Sequence, residues 1–202
     1  APPPPPPPLP GTLRTARYQG LPSATLILVT HLDEDHFAEE AVSTVSTSST
    51  RIIGPAALQK RIPRAIAMAN GARLTIDDVV VEAVPMYNAQ RGPAPGAVFH
   101  RKGGGNGYVV TVNGKRIYIA GDTECVPEVR SLQNICVAFL PMNVPFTMTP
   151  TEAADCARSI RPAVVYPYHY AGQDARAFAA ALRDTGIDVR LRNWYPLIPG
   201  PR

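Results

Sequence analysis

Thr25-Leu26-Ile27-Leu28-Val29-Thr30 runs directly into His31-Leu32-Asp33-Glu34-Asp35-His36. The first six residues are a short apolar run without alternation, the mark of a strand covered on both faces. The next six carry two imidazoles and three carboxylates. Strands of this kind belong to layered α/β folds, and ligands collect beyond their carboxyl ends. The junction at Thr30–His31 therefore predicts both a buried sheet and a site at its edge.

Working outward, the pattern alternates. A helix is predicted over residues 38–45, a strand over Arg51–Gly54, and a helix over residues 56–69 interrupted at Pro63. Asn70-Gly71 is a turn. A strand over residues 79–84 stops at Pro85, and residues 88–107 read as a glycine- and proline-rich loop. Residues 108–112 and 116–120 flank Asn113-Gly114, a strong hairpin signal. Residues 137–140 read as a buried strand. Thr149-Pro150-Thr151-Glu152 reads as a helix start: Thr149 is the N-cap, Pro150 the first helical residue and Glu152 the far half of a capping box. That helix runs to about Ile160. A strand over 163–167, a helix over 176–184 ended by Gly186, and a strand over 189–192 complete the pattern. The class is α/β or α+β with a mixed sheet.

At 202 residues the chain is one domain with tails. Residues 1–20 read as a proline-rich tail and linker, and residues 21–202 as the domain. Pro2 to Pro8 form an unbroken run that favours polyproline II, a ligand for SH3-type grooves or a plain leader. The net charge is only +4, and the basic residues Arg14, Arg17, Arg61, Arg64, Arg101 and Lys102 are scattered. This reads as a solvated surface, and a nucleic-acid partner is not expected. No apolar stretch is long enough to span a membrane, and no signal peptide is recognisable. Cys125, Cys136 and Cys156 are an odd count with no C-x-x-C pair, which argues against a disulfide scaffold or a zinc knuckle. A cytoplasmic setting is expected. The start at Ala1 is compatible with processing, which keeps a secreted or periplasmic setting open.

The chain has four histidines, each just after an apolar strand or in the polar loop before one. His31 and His36 follow the first strand, His100 precedes the hairpin, and His169 follows Val164-Val165-Tyr166-Pro167-Tyr168. Asp122 follows the hairpin in Gly121-Asp122-Thr123. Such convergence of imidazole and carboxylate is what a metal site requires.

His31-x-Asp33-x-Asp35-His36 resembles the H-x-H-x-D-H motif of the metallo-β-lactamase superfamily. Gly121-Asp122-Thr123 resembles its bridging-aspartate motif, and Tyr166-Pro167-Tyr168-His169-Tyr170 its last histidine. Val84-Pro85-Met86-Tyr87-Asn88, His100-Arg101-Lys102-Gly103 and Asn106-Gly107-Tyr108 are similar to the branch holding the ascorbate-phosphate lactonases and N-acyl-phosphatidylethanolamine phospholipases. The resemblance implies an αββα sandwich and a zinc-dependent hydrolase with one or two ions. It implies His31, Asp33 and His100 at one metal, Asp35, His36 and His169 at the other, and Asp122 between them. It implies a metal-activated water attacking an ester, lactone or phosphodiester of a small, anionic molecule, with Asp35 and His36 closest to the chemistry.

The chain departs from the family pattern in three places. Asp33 replaces the second motif histidine, which moves preference toward manganese or iron. The strands that precede the motif in the family are lacking, so one sheet is expected to have an open edge that invites a strand-pairing partner or a homo-oligomer. Cys136 stands where relatives carry aspartate and reads as a small buried hydrophobe. The alternative these departures suggest is a catalytically impaired member with a binding or scaffolding role. Arg101 and Lys102 read either as an anion contact or as surface. Cys125 reads as packing rather than as a nucleophile. Gly103 to Gly107 reads as a loop beside the site. Tyr87, Tyr168, Tyr170 and Trp194 read either as pocket lining or as core.

Overall fold

The computed structural model describes residues 18–170 and 172–194. The polyproline reading of residues 1–10 lies outside the described residues. The described strands form two sheets. The smaller holds β1 (Leu26–Leu28), β2 (Arg51–Gly54) and β3 (Ile66–Ala67), all parallel, in that order. The larger has the order β10-β9-β8-β7-β6-β5-β4. Its antiparallel half is β4 (Arg73–Ile76), β5 (Val79–Met86), β6 (Gly105–Val112) and β7 (Lys115–Ile119). Its parallel half continues from β7 through β8 (Val137–Pro141) and β9 (Val164–Tyr168) to β10 (Asp188–Val189).

The layers follow from strand periodicity. On β2, Ile52 points outward into a cluster with Val29, Phe37, Leu58 and Ala65, which Val42 of helix α1 (Glu39–Val45) covers. Ile53 points inward and packs with Met68, Val81, Ala83 and Tyr108 between the two sheets. The far face of the large sheet buries Tyr118, Ala138, Leu140 and Val165. Its cover is the helices α2 (Pro127–Arg130), α3 (Pro150–Ile160) and α4 (Ala175–Ala181). Alanines at positions 153, 154 and 157 let α3 sit close, and Phe178 of α4 fills the gap beside it. Fully burying a side chain such as Phe178 or Leu140 is worth about 1.5–3 kcal/mol. Helix, sheet, sheet and helix thus stack as the αββα sandwich that the motifs implied.

Helix α3 starts as predicted. Thr149 Oγ1 accepts from the Glu152 amide, and Glu152 Oε2 accepts from the Thr149 amide at 2.7 Å. The same carboxylate also receives Arg91. The three-stranded sheet spans only part of the width of the larger one. Among the described residues β1 and β3 are its two edges. Ile117, Ile119, Val137, Phe139 and Tyr166, on the face turned away from the helices, are only half-buried.

Several expectations need correction. Residues 56–69 are not a helix: a 3-10 turn over Ala56–Lys60 is followed by β3. Ile66 and Ala67 find a better partner in the exposed ladder of Ile53 and Gly54 than in helix continuation past Pro63. β5 runs through Pro85 to Met86, because β4 begins only opposite Glu82 and no ladder acceptor beside Pro85 needs the missing N–H. β6 begins at Gly105, inside the predicted loop, and β4 was not foreseen. The last strand is only Asp188–Val189. Cys125 and Cys156 form a disulfide with Cα atoms 5.6 Å apart, tying the segment after Asp122 to α3. Cys125 is therefore neither a free thiol nor mere packing. Cys136 is free and half-buried rather than buried.

Candidate metal centre

The candidate donors follow strand ends, except His100, which lies in the loop ahead of β6. Beyond β1, Thr30 O accepts the Asn106 amide, and there the chain leaves the sheet at His31. The His36 and Phe37 amides both return to Asp33 O, forming a tight turn that Phe37 anchors in the core. This fold-back sets the His31 and His36 rings 4.0 Å apart. Past β7, Gly121 takes φ +67, and a Cβ there would meet Met86 Sδ at 2.6 Å, so only glycine turns the chain toward Asp122. The Gly121 amide donates to Tyr168 Oη at 3.0 Å, coupling the ends of β7 and β9. His169 follows β9 with φ +47, a left-handed residue of the kind that clusters at functional sites.

The seven predicted donors come together. His36 Nε2 lies 3.0 Å from His169 Nε2. Asp35 Oδ2 lies 3.1 Å from His169 Nε2 and 3.5 Å from His36 Nε2. Asp33 Oδ2 lies 3.7 Å from His31 Nε2 and 3.5 Å from His100 Nε2. Asp122 faces both groups: its Oδ1 is 3.3 Å from His36, and its Oδ2 is 3.8 Å from His169 and 4.0 Å from His100. His31 and Asp122 are buried, whereas the Asp33 and Asp35 side chains are about 60% exposed and form the open side.

The electrostatics are those of crowded donors. Burial, reinforced by His36 alongside, pushes His31 down to about 4. Burial opposes charge on His36 as well, yet Asp122 and Asp35 outweigh it and hold His36 up to about 10. The His169 hydrogen bond, then that of His36, keeps Asp35 far below the usual carboxylate range. Burial would raise Asp122, but His36, His169 and His31 hold it low.

The donor set fits a divalent cation. His31 Nε2 and Asp122 Oδ1 are buried without a hydrogen bond of regular geometry; their contacts are with other donors of the group, Asp33 Oδ2 at 3.7 Å and His36 Nε2 at 3.3 Å. Three overlapping triads, His31–His36–Asp122, His31–Asp33–His100 and Asp35–His36–His169, each offer atoms within 4.8 Å of one another. Ligands at about 2.0–2.1 Å from a tetrahedral zinc stand roughly 3.3–3.4 Å apart, close to the spacings observed.

Two residues with a part in the site escaped the sequence reading. Asn88 belongs to the Val84–Asn88 motif, which gives it no role, and Glu124 stands just past Gly121-Asp122-Thr123. The strap Tyr87–Arg91 is laced to Asp122–Glu124: the Tyr87 amide donates to Thr123 Oγ1, and the Glu124 amide to Tyr87 O. Glu124 in turn accepts the amides of Ala89, Gln90 and Arg91. The only local hint was a carboxylate two residues after Asp122.

Other candidates resolve. Lys102 pairs with Glu128 and lies 5.2 Å above the Tyr87 ring, so its charge is already engaged. Arg101 is exposed and makes no ion pair among the described residues. Tyr87 and Tyr170 pack on the main core. Trp194 is partly exposed, its indole N–H donating to Pro167 O. Gly105 opens β6, where a Cβ would come within 3.1 Å of His31 Cβ.

The fold and the donor set define a metallo-β-lactamase sandwich. Residues 7–169 match the β-lactamase superfamily domain, and the chain belongs to that family. It is 34% identical over 174 residues to the UPF0173 metal-dependent hydrolase of Symbiobacterium thermophilum, covering 79% of this chain and 74% of that one. It is 32% identical over 191 residues to the UPF0173 metal-dependent hydrolase of Thermus thermophilus, covering 89% and 83%. A crystal structure from Parabacteroides distasonis, assigned as a metal-dependent hydrolase, superposes with a TM-score of 0.82 at 41% identity, covering 88% of this chain and 80% of that one. The enzyme class expected from the sequence, a metal-dependent hydrolase of this superfamily, is the class these relatives carry in their names. Among the described residues no helix is long and apolar enough to cross a membrane.

Proposed function

We propose that the chain hydrolyses an ester, lactone or phosphodiester at a centre of one or two divalent cations, held by His31, Asp33, Asp35, His36, His100, Asp122 and His169. The observation that carries this reading is the meeting of seven donors at one sheet edge, with Asp122 common to both groups and two buried donor atoms lacking a regular hydrogen bond. A bound cation would supply Lewis acidity and a water acidified to near-neutral pKa. The chain's own residues do the rest. Asp35, on the open side, orients a water or takes its proton. His36 links Asp35 to Asp122 and keeps both carboxylates ionised. Arg101, beside His100, is the available contact for an anionic group of a small substrate. Zinc suits the Asp35–His36–His169 group, and the oxygen of Asp33 shifts the His31–His100 group toward manganese or iron.

A scaffolding role would not require seven donors to be gathered at one edge, so the hydrolase is the reading favoured. The open edge of β1 also suits strand pairing with a second copy, which light scattering would reveal as a dimer. Metal analysis of the purified protein, with turnover of p-nitrophenyl ester and phosphodiester substrates, tests the enzyme reading. Stoichiometric metal and activity lost in His169→Ala are expected. Absence of both metal and turnover above that variant overturns it.

A further inference from the structure

We infer that Asn88, held in place by Glu124, is the positioning residue that fixes the tautomer and the aim of His100. The inference rests on the proposed metal centre only in taking His100 as one of its donors.

The argument is one of donors and acceptors. The His100 backbone amide donates to Asn88 Oδ1 at 2.8 Å, so that atom is the carbonyl oxygen. At the other end Asn88 Nδ2 donates at 2.7 Å to Phe146 O, which can only accept. The amide is thus fixed from both sides and cannot be flipped. His100 Nδ1 lies 2.9 Å from the same Asn88 Oδ1. A carbonyl oxygen has no proton to give, so Nδ1 carries it. In neutral His100 the lone pair is then on Nε2, the atom that faces Asp33 and Asp122.

Glu124 holds the segment that carries Asn88. The Glu124 carboxylate is largely buried and accepts Asn88 Nδ2 at 3.3 Å together with the Ala89, Gln90 and Arg91 amides at 3.2, 3.2 and 2.7 Å. Charge-assisted bonds of this kind are roughly twice as strong as neutral ones. The donors for one carboxylate thus come from four consecutive residues, and this closes the strap around Asn88. Arg91 then pairs with Glu152 at the start of α3. His100 is therefore aimed by a chain of contacts that includes no other donor of the centre.

The tautomer is directly readable. In chelator-treated protein, long-range nitrogen–proton correlation of the imidazoles should show His100 protonated on Nδ1, assigned by loss of its signals in His100→Gln. Asn88→Ala should move it toward the Nε2–H form that solvated imidazole prefers. Asn88→Asp, which keeps the acceptor, should preserve Nδ1–H. In calorimetric zinc titration Asn88→Ala should weaken one binding step by about 10–100-fold, the usual effect of losing such a partner, and leave the other step unchanged. If Asn88→Ala does not fold, Glu124→Gln, of equal size, should give a mixture of tautomers. Nε2–H in the parent protein, or an unchanged tautomer in both variants, overturns the inference. A parent protein that binds no zinc yet shows Nδ1–H defeats the metal-centre reading while leaving the tautomer assignment standing, so the two failures are distinguishable.

Discussion

Asp33 is the residue at which the chain departs furthest from its family motif, and its position carries a prediction. Its carboxylate stands 3.7 and 3.5 Å from the Nε2 atoms of His31 and His100. It occupies the place of an imidazole without supplying a neutral nitrogen. Asp33→His should raise the zinc affinity of that group by about tenfold or more, since imidazole suits zinc where carboxylate suits manganese. Competition titration against a colorimetric chelator checks this, and unchanged affinity and stoichiometry would remove Asp33 from the set. The histidines and aspartates themselves were legible in sequence, because they lie in polar segments that abruptly follow an apolar run or, for His100, in the polar loop before one. Asn88 and Glu124 were not. Their contact joins residues 36 apart in sequence, and nothing local marks an amide as the partner of an imidazole.

At the scale of elements, the ends of strands do the positioning. Gly121 turns the chain between β7 and Asp122 with a left-handed φ and no room for a Cβ against Met86. Gly121→Ala should cost about 2–4 kcal/mol through backbone strain and overpacking, read as a lowered urea midpoint, and should weaken metal binding because Asp122 moves with it. A midpoint unchanged within error would show that Met86 gives way freely. Elements with strong local chemistry were read correctly: the apolar run of β1, the Asn113-Gly114 hairpin and the capping box at Thr149. The failure at residues 56–69 has a clear cause. Ala-Ala-Leu-Gln-Lys favours helix locally, but Ile66 and Ala67 are recruited to the edge of β2, and a two-residue parallel strand has no sequence signature. β4 was hidden because the two-residue turn that joins it to β5 is Asp77-Asp78, with Asp77 at φ +50, a weaker hairpin signal than Asn-Gly or Asp-Gly.

Across the whole molecule, Tyr108 and Asn106 join the sheets. The Tyr108 hydroxyl donates to Val29 O at 2.8 Å, while Asn106 Nδ2 reaches Met68 O at 2.9 Å. Burial pushes Tyr108 up to about 12, and Tyr118, in the core beneath the helices, is raised as well. For an acid whose folded value lies above the unfolded one, stability is fully present below the unfolded value near pH 10. It is lost as pH rises from there through about 12, because only the unfolded chain then releases the proton easily. Tyr108 alone should account for about 2–3 kcal/mol of that loss. Urea unfolding between pH 8 and 11.5 should show it, and Tyr108→Phe should flatten the decline; an equally steep decline in the variant would assign it elsewhere. The carboxylate of Glu152 has a different reach. It caps α3 and holds Arg91 at once, so the first turn of that helix and the strap around His100 share one anchor. Segments joined in this way open to solvent together. Backbone amides in the first turn of α3 and in residues 88–91 should therefore exchange their protons for deuterium as a single cooperative unit, and Arg91→Ala should uncouple the two into separate rates.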